Sequence, residues 1–450
     1  METQEKNKFA FLSSPTVRFA VVGLLTLLLL IPLEFVKSLI RERKFLQIEV
    51  IDEVNDKWGE EVLIYGPILK IPYVTFNETT TINQTGEVIK EKTSITHFAY
   101  FFPEELDVNA DIETKTLKRG NYESVVFTAG IQFKGNFSFP DFVKNDVDKD
   151  NVMWDKAVML VRTTNLKSIK DEVELKYGNQ SYTFEPIFSS ENSSMQTLST
   201  GYLNPDVFEQ QNNLNYSFSM RYNGSNELRI IPIGKVTTSH VESNWHSPSF
   251  NGHFLPADET KQIDKNGFMA DWKVLHINRP FTQESFGELP YLNEFAFGVD
   301  LIIPNDEYQQ NERTSKYGFM VISLTFLVFF MIQSINRLKI HLFQYAMIGV
   351  ALVLFYTLLL SITEHSSFKL AYIVATSSVI GMISLYTLSI LKARKFSIFI
   401  GVSLLSIYTF IYIIIQMENY ALLAGSIGLF LILGAVMYFS RKIDWGDINN

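Results

Sequence analysis

Apolar residues are concentrated at the two ends of this chain, and a long polar segment separates them. The N-terminal run, FAVVGLLTLLLLIPLEF, begins at Phe19. The first run after the polar segment extends from Tyr317 to Ile335 without a charged residue. An apolar run of about 17 residues or more is long enough to cross a bilayer as a helix. Both runs therefore predict transmembrane helices.

Four further apolar runs follow the second one, at roughly 342–362, 370–391, 396–415 and 420–439. Short loops with charged or polar residues separate them. The pattern predicts one N-terminal anchor helix and a bundle of five C-terminal spans, six spans in all.

The charges in the loops predict the orientation of these spans, because basic loops are retained in the cytoplasm. Basic residues follow the second, fourth and sixth spans: Arg337, Lys339, Lys392, Arg394, Lys395, Arg441 and Lys442. The alternate loops contain Glu364, His365 and Lys369 after the third span and Glu418 after the fifth, without a basic cluster. We therefore expect both termini inside, with residues from about 37 to 316 exported.

Four basic residues after the first span, Lys37, Arg41, Arg43 and Lys44, oppose this orientation. They precede a very long segment, however, and long segments are translocated largely regardless of charge. The basic N-terminus and apolar run resemble a signal peptide, but no small-x-small cleavage site follows. We interpret the run as an uncleaved anchor. Glu34, at its outer end, pairs with a nearby basic residue or serves as a buried functional carboxylate.

Helical periodicity continues beyond the first span. Apolar residues recur every three or four positions up to Trp58, and Gly59 is a suitable stop. This predicts that the first helix extends past the membrane and docks on the exported domain.

Strand patterns dominate residues 60 to about 304. Apolar and polar residues alternate in the segments 216–222, 268–274 and 295–303, which is typical of antiparallel strands with one buried face. Asn223-Gly224 between alternating runs predicts a β-hairpin. We expect an antiparallel β-sandwich, or two smaller sheets packed together.

The resulting division of the chain has six parts. They are a cytoplasmic N-terminus (1–18), an anchor helix (19–36), a helical extension (37–59), a periplasmic β-rich domain (60–316), a five-span bundle (317–440) and a cytoplasmic tail (441–450).

Composition excludes several kinds of chemistry. The net charge of −9 gives no support to nucleic-acid binding. The chain contains no cysteine, which excludes disulfides, thiolate metal sites and cysteine nucleophiles.

Catalytic motifs are missing from the exported segment: it has no nucleophile elbow, no Gly-rich phosphate loop and no HExxH. His240, His246 and His253 lie close in sequence, but their spacing does not match a compact helical metal motif. Strand geometry could still gather them. We expect no catalytic, cofactor or metal site, with a periplasmic hydrolase as a remote alternative.

The interiors of the five C-terminal spans contain no Asp, Glu, Lys, Arg or His. Proton relays and ion-coupled carriers usually need such residues at membrane depth. The pattern favours a packed scaffold, with a transporter or lipid-handling bundle as the alternative.

A charged and polar collar flanks the bundle at its predicted outer surface. It consists of Tyr308, Gln309, Arg313, Lys316, Glu364, His365 and Glu418. We expect these residues to form a network that fixes the β-rich domain on the bundle, with Arg313 as bidentate partner of a carboxylate. Ordinary interfacial charge is the alternative, and exposed pairs contribute only about 0–1 kcal/mol.

Several motifs, in order along nearly the whole chain, resemble the CreD family of bacterial inner-membrane proteins, called cell envelope integrity proteins. They are RERK, KWG, GPILKIPY, NWHSPSFNGHFLP, EYQQNERTSKYG, HLFQYAMIGVALVLFYTLLLSITEH, ENYALLAG and MYFSRKIDW. The resemblance implies an inner-membrane protein with a large periplasmic domain. It also implies a link to envelope integrity and to a regulon responding to envelope stress, without an accepted enzymatic activity.

These observations together predict a non-enzymatic, multi-pass inner-membrane protein that maintains or monitors the envelope. Its β-rich domain would bind an envelope protein, a lipid or a cell-wall ligand, and the bilayer itself is the remaining partner.

Overall fold

A computed structural model describes residues 15–82, 88–187, 195–209, 214–301, 303, 307–336, 338, 340–391, 393–417 and 420–441. The chain divides into two compact units. Residues 1–49 and 305–450 form the helical unit, and residues 50–304 form the strand-rich unit.

Eight α-helices are described: α1 (Pro15–Trp58), α2 (Asp206–Glu209), α3 (Glu307–Lys316), α4 (Gly318–Ile335), α5 (Leu342–Thr363), α6 (Phe368–Leu391), α7 (Arg394–Gln416) and α8 (Ala421–Ser440). Within the described part of the chain, six helices are long and apolar enough to cross a membrane: α1 and α4 to α8. The prediction of one N-terminal and five C-terminal spans is confirmed.

The strands are, in chain order, β1 (Val62–Ile82), β2 (Val88–Phe101), β3 (Glu105–Arg119), β4 (Tyr122–Phe137), β5 (Val158–Thr163), β6 (Glu174–Tyr177), β7 (Gln180–Ile187), β8 (Gln196–Thr200), β9 (Leu214–Ser225), β10 (Glu227–Ile230), β11 (Val236–Ser243), β12 (Pro248–Gly252), β13 (Gln262–Ile263), β14 (Phe268–Leu275), β15 (Glu284–Phe286) and β16 (Phe297–Leu301).

Fourteen of these strands form one path of hydrogen-bonded neighbours, in the order β12-β16-β10-β1-β5-β8-β7-β6-β9-β4-β3-β11-β14-β13. Off this path, β2 pairs with β1, and β15 pairs with β2. Most pairs are antiparallel, as the alternating pattern predicts. Two pairs, β1 with β10 and β3 with β11, are parallel, which the pattern did not indicate.

Aromatic contacts show that the two halves of this path pack face to face. Trp272 of β14 lies 5.4 Å from Phe297 of β16 and 5.7 Å from Phe250 of β12, measured between ring centroids. Phe218 of β9 lies 5.6 Å from Phe184 of β7. Since every second side chain of β14 is buried, its strict alternation puts one whole face into this core. The sandwich-like prediction is confirmed for the strand-rich unit.

The predicted hairpin at Asn223-Gly224 is wrong. Strand β9 continues through both residues, which pair with Thr128 and Phe127 of β4. The chain leaves the strand at Asn226, whose φ of +61° lies in the left-handed region, and β10 then pairs with β1 and β16. Gly224 serves close packing instead of a turn, because a Cβ there would lie 2.3 Å from Phe127 Cζ.

The last turns of α1 belong to the strand-rich unit and are held there by polar contacts. Trp58 Nε1 donates to the Phe127 carbonyl at 3.1 Å. Ser124 Oγ donates to Asn55 Oδ1 at 2.6 Å, and both side chains are buried. The helix therefore continues without a break past the apolar run and its end is anchored on β4, as the periodicity predicts.

Buried aromatic and polar side chains connect the helices of the helical unit. Tyr345 donates to Gln333 Oε1 at 2.7 Å, linking α5 to α4. The Tyr372 hydroxyl donates to the Tyr408 carbonyl at 2.7 Å, linking α6 to α7. Gly318 allows close approach of α1, since a Cβ there would lie 2.7 Å from a Leu33 methyl carbon. These contacts agree with interhelical hydrogen bonding as the role of the polar residues in the spans.

Candidate functional sites

Helix α3 carries four residues of the collar predicted from the sequence, and its buried face is polar. Tyr308, Asn311, Thr314 and Ser315 are buried along one side. Thr314 and Ser315 donate to carbonyls of their own helix, at 2.7 Å and 2.8 Å. Local bonding of this kind lets hydroxyls enter a packed interface without other partners.

Glu312, on the same helix as Lys316 of the collar, is the centre of the first ion-pair group. Its two carboxylate oxygens contact Lys316 Nζ at 3.2 Å and Lys44 Nζ at 3.4 Å. The hydrogen bond from Lys316, together with Lys44, lowers the pKa of the Glu312 carboxyl below its ordinary value. The group therefore joins α3 to the extension of α1 and keeps Glu312 ionised.

Glu364 forms a second pair, with a residue that the sequence did not single out as its partner. Arg43 Nε lies 3.3 Å from Glu364 Oε1, which ties α1 to the end of α5. Arg313 Nη1 instead approaches the Ile415 carbonyl of α7 at 3.5 Å. The proposed bidentate pairing of Arg313 stays a prediction.

The remaining collar residues differ in their surroundings. Gln309 and His365 are exposed, and Tyr308 is buried. Glu418 lies outside the described residues. The ion pairs described above all join residues of the helical unit. The partners that the sequence did not indicate are Arg43 and Lys44. The RERK run beyond the first span could have revealed them, since opposite charges at the same membrane surface attract.

Glu34 pairs with two basic residues of its own helix, Lys37 and Arg41. Its oxygens lie 3.3 Å from Lys37 Nζ and 3.3 Å from Arg41 Nη2, and its side chain is more than half exposed. The structure therefore favours interfacial pairing over a buried functional carboxylate.

The three histidines that lie close in sequence, His240, His246 and His253, have separate partners. His240 Nδ1 lies 2.5 Å from Asp271 Oδ1 across β11 and β14. His246 packs on Trp245, and His253 packs on Phe254 and Phe295. Among the residues described, no three His, Asp or Glu side chains are grouped for a metal ion.

An acidic cleft of about 350 Å³ opens in the strand-rich unit. It is lined in part by Glu61, Glu123, Glu227 and Asp300. Glu227 pairs with Arg229, whose Nη2 also lies 3.5 Å from Asp300 Oδ1. Burial raises the pKa of Glu227 to about 7, outweighing the opposite effect of Arg229. This carboxyl therefore changes charge near neutral pH.

A two-stranded arm extends from the same unit. From Val74 to Ile82, β1 pairs with β2, and within the described strands the sheet neighbours β5, β10 and β15 all pair nearer the base. Phe76 and Ile95 are 45% and 39% exposed on this arm. Lys92 Nζ lies 4.2 Å from the centre of the Phe76 ring. Unpaired strand edges and exposed apolar side chains are features that partner segments use for binding.

Comparisons with known proteins cover nearly the whole chain. The family model described as "Inner membrane protein CreD" matches residues 14–446. The protein named "Inner membrane protein CreD" of Escherichia coli (strain K12) is 27% identical over 423 residues, which is 93% of this chain and 91% of the relative. The six candidate spans in the described part of the chain agree with an inner membrane protein. The chain belongs to the CreD family of inner membrane proteins.

Proposed function

We propose that this protein supports the integrity of the cell envelope, or its stress response, without catalysing a reaction. The strand-rich unit is the binding or sensing module, and its ligand is an envelope protein, a lipid or a cell-wall component. The basic loops support an arrangement with both termini in the cytoplasm and this unit in the periplasm.

The arm formed by β1 and β2 is the observation that carries the proposal. Its strands continue in register from Val74–Thr96 to Ile82–Val88, beyond the sheet base. A two-stranded ribbon gains little stability alone, because stable sheets need three strands or a packed face. An added strand or an apolar surface from a partner would supply that packing.

The test shortens the arm without disturbing the sheet. Phe76 and Ser94 face each other across β1 and β2, so Asn-Gly can replace residues 77–93 as a two-residue turn. We expect the shortened protein to reach the membrane and to unfold at an unchanged temperature. It should fail to restore growth under envelope-perturbing detergent in cells that lack the gene.

A matched control changes an exposed apolar residue elsewhere in the unit. Ile277 is 74% exposed and lies outside the arm, so Ile277→Ser should restore growth fully. Full restoration by the shortened protein would contradict a binding role for the arm.

A lipid-handling function is the second candidate. It is favoured by an apolar groove of about 650 Å³ between α4, α7 and α8. Measurement of phospholipid movement between leaflets by vesicles containing the purified protein would distinguish it, since the envelope-binding proposal expects none above protein-free vesicles.

A further inference from the structure

The groove between α4, α7 and α8 in the helical unit has a volume of about 650 Å³. Its walls are mainly apolar, with Leu327 and Met331 from α4, Phe399 and Val402 from α7, and Val436 from α8. This volume falls within the range of about 300–1,000 Å³ that is typical of small-molecule sites.

The two serine hydroxyls that line the groove are already bonded. Ser403 Oγ donates to the Phe399 carbonyl at 2.8 Å, and Ser406 Oγ donates to the Val402 carbonyl at 2.9 Å. Both bonds stay within α7, so the hydroxyls need no partner from a ligand. The walls therefore suit a hydrocarbon chain better than a polar solute.

Helices α7 and α8 are in close contact at one end, and the groove lies between them at the other end. Gly428 of α8 lies so near Phe410 of α7 that an added Cβ would be 2.0 Å from Phe410 Cζ. The groove occupies the opposite half, between Lys395–Ile407 of α7 and Ile432–Phe439 of α8. At about 1.5 Å per residue, the stretch from Lys395 to Ile407 is about 18 Å long. That is close to one leaflet, since the hydrocarbon core is about 30 Å thick.

Positive charge lies at the end of the groove where α7 begins. Lys395 lines it there, beside Asn336 of α4. Arg394 and Lys395 are exposed at the start of α7, and the N-cap residue Ala393 supplies no side-chain hydrogen bond to the helix. A helix N-terminus also attracts anions, which adds to the effect of the two cations. Basic pockets between transmembrane helices are suited to anionic lipid headgroups.

We propose that the groove binds one anionic phospholipid, with an acyl chain between α7 and α8 and the phosphate at Lys395. The groove is apolar and about as long as one leaflet, which suits an acyl chain. The positive charge of Lys395 favours an anionic headgroup. Bound lipid fills the space where α8 diverges from α7 and so holds α8 against the bundle.

Native mass spectrometry of the full-length protein, titrated with phosphatidylglycerol or phosphatidylcholine of identical acyl chains, tests this directly. We expect one phosphatidylglycerol per chain, bound more tightly than phosphatidylcholine. Lys395→Gln should weaken phosphatidylglycerol binding about fivefold, which is ~1 kcal/mol. It should weaken phosphatidylcholine binding less, because the choline group already neutralises that phosphate. Ala435→Trp, which fills the groove, should weaken both lipids.

Two matched variants control for general effects. Lys369→Gln removes an exposed cation at the start of α6, outside the groove. Val374→Trp adds the same bulk on an α6 side chain that is 41% exposed and outside the groove. Both should bind lipid as the parent protein does. Equal loss in the controls, or equal affinity for the two lipids in the parent protein, would overturn the proposal.

A measurement on the parent sequence keeps the test independent of folding defects in Ala435→Trp. Phosphatidylglycerol with a photoreactive acyl chain should label peptides from residues 395–407 and 432–439. Added inorganic phosphate should not prevent labelling, since the acyl chain supplies most of the contact. Labelling spread evenly over all spans, or abolished by phosphate alone, contradicts the proposal.

A second copy of the chain is the competing occupant. Because the sequence has no cysteine, Ala435→Cys introduces a single thiol into the groove. We expect this variant to remain monomeric under oxidising conditions in phosphatidylglycerol membranes. Efficient disulfide dimers there would show that a partner helix, and not a lipid, covers the groove.

Discussion

Arg43 and Glu364 form an ion pair, with Arg43 Nε 3.3 Å from Glu364 Oε1. One residue belongs to the extension of α1 and the other follows α5. The arginine side chain is 41% exposed and the glutamate 20%, so solvent screens part of the attraction. The pair thus links α1 to the end of α5, and its contribution to the free energy of unfolding is modest.

The first prediction distinguishes the Arg43–Glu364 pair from the pairing of Arg313 with a carboxylate, which the sequence predicts. Arg43→Ala and Glu364→Ala should each lower the thermal stability of the detergent-solubilised protein. The double variant should lose less than the sum, with a coupling of about 0.5–1 kcal/mol.

The matched comparison combines Arg313→Ala with Glu364→Ala. Arg313 approaches the Ile415 carbonyl, so these two changes should add within about 0.5 kcal/mol. Larger coupling for Arg313 than for Arg43 would favour the bidentate pair predicted from the sequence.

The second prediction concerns the close packing at Gly224. A Cβ at this position would lie 2.3 Å from Phe127 Cζ and 2.9 Å from Val62 Cγ2. Gly224→Ala should therefore destabilise the strand-rich unit by about 1–3 kcal/mol, as overpacking does. Urea unfolding followed by tryptophan fluorescence reports mainly on this unit, because four of the five tryptophans, Trp58, Trp154, Trp245 and Trp272, lie in it.

Gly130, on the same strand as Phe127, provides the control. No atom lies within 4 Å of a Cβ built there, so Gly130→Ala should have nearly no effect. Equal midpoints for the two variants would mean that Phe127 moves aside freely.

The difference between these glycines also shows where sequence reasoning reaches its limit. The positions of the spans can be predicted from the lengths of the apolar runs and the charges that flank them. For example, α4 begins at Gly318, one residue after the predicted start at Tyr317. The strand of Phe268–Leu275 follows from local alternation in the same way. Asn223-Gly224 has the local signature of a turn, but long-range pairing of β9 with β4 decides its structure.

The candidate sites show the same limit. The sequence places the collar charges at one membrane surface, yet it does not say which cation reaches Glu364. The sequence presents Arg43 only as a charge that opposes the predicted orientation, because its partner Glu364 is distant in the sequence. The parallel pairing of β3 with β11 is hidden for the same reason, since no local pattern records which strands become neighbours.

The third prediction concerns orientation. Fusions of a compartment reporter after Lys339 and after Arg394 should report the cytoplasm, and a fusion after Ser366 should report the periplasm. The basic loops supply the reason, since they resist export. A periplasmic signal after Lys339 would reverse the arrangement, and equal membrane levels of the three fusions serve as the control.

The fourth prediction follows from the Glu227 carboxyl in the acidic cleft. Burial raises its pKa to about 7, with Glu61 and Asp300 acting in the same direction and Arg229 opposing them. The ordinary glutamate pKa is about 4.3, so the folded state holds this proton more tightly than the unfolded state. The contribution of Glu227 to stability is therefore greatest below the ordinary pKa and is lost as pH rises towards 7 and beyond.

Glu227→Gln, which resembles the protonated form, should remove this dependence. We expect tryptophan-monitored unfolding of the parent protein to show lower stability at about pH 8 than at about pH 5, and the variant to show a smaller decline. Glu123→Gln is the matched control, because Glu123 lines the same cleft but pairs with Lys118. Its pH profile should follow that of the parent. A Glu227→Gln profile that is parallel to the parent across this range would show that the carboxyl does not titrate there, and that Arg229 holds Glu227 charged throughout.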